Sequence, residues 1–173
     1  MNSIKPLVHM ATIDELKGET KRLFEEMKKG GGKVPKWMAV MANCPDILMG
    51  FFSLFKAVMD DTPVDKKLKW KVAFKISEIN KCKFCVSVSK MKLKQFGFSD
   101  KQVDNLKEGT NSREKTALEF AEASSCHAYN IDEKLIAKMK KHFTDKEIVE
   151  LTSVVGLFNF INRFNDTLNV LPE

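Results

Sequence analysis

The stretch from Asp65 to Phe96, DKKLKWKVAFKISEINKCKFCVSVSKMKLKQF, constrains this chain more than any other. Apolar residues recur at helical spacing on both sides of its middle: Val72, Ile76 and Ile79 before it, and Phe84, Val88 and Met91 after it. The pair Asn80-Lys81 separates the two runs. The pattern predicts two successive helices, with Cys82-Lys83-Phe84-Cys85 in or near the first turn of the second. Such a CxxC places two sulfurs about one helical turn apart.

The rest of the chain repeats the helical pattern. Thr12 and Glu15 have capping-box spacing and predict a helix carrying Leu16, Leu23, Phe24 and Met27, stopped by Gly30-Gly31-Gly32. Val34-Pro35 starts a short helix through Met41. Pro45 takes a first helical position ahead of a stripe of Ile47, Leu48, Phe51, Leu54, Phe55 and Val58. Gly97 closes the second central helix, and Ser99 caps a short one through Leu106. Ser112 is the expected cap of the next helix, and Ser124 to Asn130 reads as a loop. Ile131 to Met139 is a short helix. Thr144 caps the last and longest one, which reaches about Asn169. No pair of runs carries hairpin chemistry. The expected class is therefore all-α, in one domain spanning 1–173 with short loops. There is a faint internal echo: Asp65-Lys66 and Asp145-Lys146 both open long apolar helices, and at that offset Cys82 and Cys85 fall on Asn162 and Asn165.

Composition excludes several classes. At 173 residues, 43% hydrophobic and 30% charged, the chain can build a real core. The opening Met1 to Pro6 lacks the apolar core of a secretory signal. Met38 to Met59 is broken at Asn43-Cys44-Pro45-Asp46 and is too short on either side to span a bilayer. A cytoplasmic location is expected, and there a CxxC points to redox or metal chemistry rather than a permanent staple. The net charge of +6 rests on dispersed lysines; only Arg22, Arg113 and Arg163 are arginines. This reads as a solvated surface, with neither a nucleic-acid nor a membrane partner expected.

The residues alone leave three readings of the thiols. One cysteine can attack and the other resolve the product as a disulfide, with a helix N-terminus and Lys81, Lys83 and Lys90 favouring the thiolate. The pair can be half of a zinc site, for which Cys126 and His127 are the clustered partners. Or both can be small buried hydrophobes. Glu78, four residues before Cys82, is a candidate proton relay or a solvated surface carboxylate. Ser89, four residues beyond Cys85, can hydrogen-bond a thiolate but is no base at neutral pH. Cys44, His9 and His142 read as core or surface positions.

Ser77-Glu78-Ile79-Asn80-Lys81-Cys82-Lys83-Phe84-Cys85-Val86 resembles the S-x-x-N-x-C-x-x-C core of the carboxymuconolactone decarboxylase and alkylhydroperoxidase D superfamily. Gly32-Lys33-Val34-Pro35 with Ala42 to Leu48, Arg113 to Ala121, Phe143 to Thr152 and Asn162 to Asp166 are similar to its other signatures, nearest the peroxidase-related branch. The resemblance covers Thr12 to Leu171. It implies an all-helical fold that assembles as dimers, trimers or hexamers. It also implies a dithiol cycle without bound cofactor or metal, in which Cys85 attacks a hydroperoxide and Cys82 resolves it. A small hydroperoxide and a dithiol or thiol-protein reductant are the implied partners. The helix-terminus argument alone favours the opposite order, with Cys82 first. Three positions depart from the peroxidase motif. Ser89 and Phe84 stand where histidines occur, and Trp70 stands where a glutamate does. A non-enzymatic oligomeric binding module with a redox-sensitive thiol pair is the alternative. Lactone decarboxylation is not expected, because that branch typically lacks the CxxC.

Overall fold

The computed structural model describes residues 5–106 and 109–172. Met1 to Ile4, most of the segment inspected above for a signal, lie outside it. Among the described residues the chain forms helices α1 (Gly18–Lys29), α2 (Lys36–Met41), α3 (Pro45–Met59), α4 (Lys66–Ile79), α5 (Lys83–Gln95), α6 (Asp100–Asp104), α7 (Ser112–His127), α8 (Glu133–His142) and α9 (Asp145–Thr167). The all-α expectation holds, and the CxxC stands at a helix start. No helix among these residues is long and apolar enough to cross a membrane.

By packing, the residues fall into two compact units: residues up to 57 with 165–171, and residues 58–164 with Pro172. In the first unit Phe24, Met38, Met41, Leu48 and Val170 are buried, and Trp37 stands edge-on to Phe51 with ring centroids 5.3 Å apart. The second unit is built around α4, which packs on α5 and α7.

Helix α4 is buried on nearly every side. Leu68 to Phe74, Ile76 and Ser77 are all inside, which includes Lys69 and Lys71. For these two lysines this corrects the reading of a solvated surface; the other described lysines are exposed or half-buried. Both ammonium groups find oxygen partners. Lys69 Nζ donates to the Asp60 carbonyl (3.0 Å) and Thr62 Oγ1 (2.6 Å), and lies 3.4 Å from Glu150 Oε2. Lys71 Nζ is 2.6 Å from Glu114 Oε1 and 4.8 Å from the Phe98 ring centre. A buried charge survives folding only when it is so compensated. The Arg113-Glu114 dipeptide gains its meaning here. Glu114 holds Lys71, while Arg113 stacks on Phe143 at 4.2 Å and pairs with Glu147.

Several boundaries differ from expectation. The Thr12/Glu15 capping box closes only a 3-10 turn, Ile13–Glu15, and α1 restarts at Gly18, where φ is +59°. Asn111, not Ser112, caps α7 by accepting from the Glu114 N–H. The predicted loop from Ser124 is the last turn of α7 and a 3-10 turn, Ala128–Asn130. The serines and Asn130 suggested a break, but Phe120 and Ala121 bury the helix that carries them. Helix α8 begins two residues later than expected, with Asp132 as its cap.

Candidate active site

Helix α4 ends in a hydrogen-bonded corner that sets both thiols. Asn80 is its C-cap, and Lys81 adopts the left-handed conformation at φ 59°. The Lys81 N–H donates to the Glu78 carbonyl (3.1 Å) and the Cys82 N–H to the Ser77 carbonyl (3.0 Å), the paired bonds of a Schellman motif. Cys82 is thus the last residue of one cap and the N-cap of α5. Cys85 follows at the third helical position. Cys82 is fully buried and Cys85 is 4% exposed; both are thiols. A cysteine stands at this N-cap, where Ser, Thr, Asp and Asn are preferred, and its side chain makes no cap bond. The uncapped helix N-terminus favours a negative charge, and a thiolate is one.

A polar network fixes this corner from behind. Asn80 Nδ2 donates to Asn159 Oδ1 and Asn162 Oδ1, both at 2.9 Å. Asn162 Nδ2 donates to Ser77 Oγ at 3.3 Å, and Ser77 Oγ donates to the Ala73 carbonyl at 2.7 Å. Ser125 Oγ and Arg163 Nη1 also donate to Asn159 Oδ1, at 3.0 and 2.8 Å. The ends of α4 and α7 and the middle of α9 therefore share one node. Sequence reasoning assigned no role to Asn159 or Asn80. The signal was present as asparagines three apart, 159 and 162, within a long apolar helix. The internal echo gains content as well: Asn162, at the position equivalent to Cys82, bonds the corner that presents Cys82.

The other candidates are placed as follows. Glu78 is half-buried on the last turn of α4, and its charge acts on Lys90. Lys90 is engaged elsewhere: its hydrogen bond to Asp104 (2.7 Å) raises its pKa, and it lies 5.8 Å from the Phe74 ring centre. Lys81 and Lys83 are exposed beside the thiols. Ser89 is completely buried on α5. Trp70 packs edge-on against Phe158, 5.9 Å away, so the glutamate position of the peroxidase motif is apolar core here. Cys44, Cys126 and His127 are exposed, and no cluster of three metal-ligating side chains occurs among the described residues.

Comparison with known proteins places this arrangement. No family model matches the chain. The uncharacterized protein YnjA of Escherichia coli K12 is 32% identical over 114 residues, which span 63% of this chain and 63%, less than two thirds, of that protein. Two solved structures superpose over nearly the full length, each with a TM-score of 0.87. One is an uncharacterized peroxidase-related protein from Silicibacter sp. TM1040 (23% identity, covering 97% of this chain and 92% of that one). The other is an alkylhydroperoxidase AhpD core protein, likewise uncharacterized and peroxidase-related, from Ralstonia eutropha JMP134 (20% identity, 100% and 94%). A helical fold with a CxxC at a helix start is the class. Within it, this chain has the alkylhydroperoxidase D-like fold.

Proposed function

We propose that this protein is a thiol-dependent oxidoreductase that reduces hydroperoxides or disulfides through Cys85 and Cys82. The observation that carries the reading is the placement of both thiols at the uncapped N-terminus of α5, one turn apart. The Cys85 thiolate attacks the distal peroxide oxygen, giving a sulfenic acid and an alkoxide that takes up a proton to leave as the alcohol. Cys82 then attacks the Cys85 sulfur; water departs and a disulfide remains. A dithiol or thiol protein returns both cysteines to thiols. Of the two, Cys85 is the less buried, which supports its attacking first. The deep burial of both thiols favours a second reading, a non-enzymatic binding module whose thiol pair senses oxidation.

The test is peptide-resolved alkylation after peroxide treatment. Cys82 and Cys85 should become protected together with a two-proton mass loss, while exposed Cys44 and Cys126 still label. CxxC thiols that stay alkylatable would end the redox proposal. Protection without peroxide turnover under excess dithiol would favour the module.

The same reading includes a homo-oligomer. Val149 and Phe160 on α9 are 64% and 48% exposed, and Ile47 and Leu54 on α3 are 54% and 52% exposed, which is large apolar area left to solvent. Light scattering at micromolar concentration should give at least twice the 19.7 kDa of one chain. A monomer mass would remove this part of the proposal.

A further inference from the structure

Four helical hydroxyls in this protein fold back on their own backbone. Ser77 bonds the Ala73 carbonyl, Thr116 that of Ser112, Thr152 that of Ile148 and Ser153 that of Val149, all at 2.7–2.8 Å. This is the ordinary resting place for a serine or threonine inside a helix. Ser89 departs from it. Its Oγ is buried and has no hydrogen-bond partner among the described residues, neither the Cys85 carbonyl four residues back nor any other group. Ser89 itself is 0% exposed, so bulk solvent does not reach it. A buried hydroxyl left unpaired is costly and rare, and calls for a partner that appears in another state of the molecule.

That partner is one turn away. Cys85 and Ser89 stand at i and i+4 on α5, with about 5–6 Å expected between their Cβ atoms, and both are buried. A neutral thiol is a weak acceptor, whereas a thiolate accepts strongly and shortens the bond. The nearby lysines are engaged or exposed. Lys90 holds Asp104, and Lys81 and Lys83 are exposed.

We infer that the Ser89 hydroxyl is the internal hydrogen-bond donor to the Cys85 sulfur in its charged form, idle while Cys85 is a thiol. It moves no proton; it lowers the free energy of the thiolate from which the proposed oxidoreductase cycle starts. The inference rests on that reading only for its purpose, since a thiolate-stabilising contact can be measured without turnover. It also gives residue 89 a role that is not a histidine's. A serine stabilises the anion but leaves deprotonation to solvent.

The test compares the parent protein with Ser89→Ala by peptide-resolved alkylation of Cys85 across pH, alongside thermal melting. The expected result is a Cys85 half-alkylation pH raised by about one unit, or about tenfold less thiolate at neutral pH, with a melting temperature equal to or above the parent's. A structural hydroxyl would give the reverse: an unchanged alkylation profile and a lower melting temperature. Either an unchanged profile or a lower melting temperature overturns the inference; a fall in melting temperature would mean that Ser89 holds a buried water or a packing contact instead. A shifted profile in a protein that consumes no peroxide would sink the oxidoreductase reading and leave this contact standing.

Discussion

Cys85→Ser should abolish peroxide-dependent turnover, while Cys82→Ser should reduce about one peroxide per chain and then stop. The first variant lacks the attacking sulfur, and loss of a covalent nucleophile costs more than about 10³-fold in rate. The second retains it but cannot resolve the sulfenic acid, which should accumulate on Cys85 and be trapped there by a sulfenate-selective reagent. The helix N-terminus acts on both positions, the N-cap and the third residue of α5, so charge stabilisation alone does not order them. Burial leans toward Cys85, which keeps 4% of its surface exposed where Cys82 keeps none. Turnover that survives Cys85→Ser and disappears in Cys82→Ser would invert the assignment.

Glu150→Ala should destabilise the protein by about 3–5 kcal/mol, the usual effect of leaving a buried charge without its counter-ion. That is a large share of the roughly 5–15 kcal/mol that holds a domain folded. Lys69 has no exposed surface, and after the change only the Asp60 carbonyl and Thr62 Oγ1 remain to it. Replacing both partners by apolar residues, as in Lys69→Met with Glu150→Leu, should restore much of the loss. The pair also sets an acid limit. Burial raises the pKa of Glu150, but the hydrogen bonds from Thr62 and the Val64 N–H, together with the Lys69 charge, outweigh it and leave a net depression below 4.5. Glu114 is lowered in the same way: burial opposes, and Lys71 and Thr110 prevail. A depressed carboxyl contributes stability above its unfolded value that is lost as pH falls through its folded one. Stability should therefore decline below about pH 4.5, and less steeply in Glu150→Ala. Urea midpoints at neutral and acid pH measure both effects; a loss under about 1 kcal/mol at neutral pH would mean that Lys69 finds solvent.

The sequence was most legible where local chemistry and packing agree. The caps Ser99 of α6 and Thr144 of α9, the first-turn proline of α3 and Gly97 after α5 all lie where expected. The Thr12 box was equally clear yet closed only one 3-10 turn, because a capping signature fixes the first turn and Gly18 permits a fresh start. Lysine was the least legible residue. In Lys66 to Lys75 the lysines are interspersed with apolar residues, and their charge reads as solvated surface. Counter-ions from Glu114 and Glu150, distant in the chain, made Lys69 and Lys71 interior residues. The thiols and Ser89 were visible as a helical constellation. The asparagine node was not, since a hydrogen bond between Asn80 and Asn162 depends on how α4 and α9 lie side by side.

The corner before Cys82 also bears on how this chain can drift. Position 81 needs a positive φ, which glycine accepts freely and a lysine tolerates at a cost of about 1 kcal/mol. Drift toward glycine there would relax the backbone and at the same time erase a cation adjoining the two thiols. On the proposed function, selection for a sturdier fold and selection for a stabilised thiolate would pull residue 81 in opposite directions.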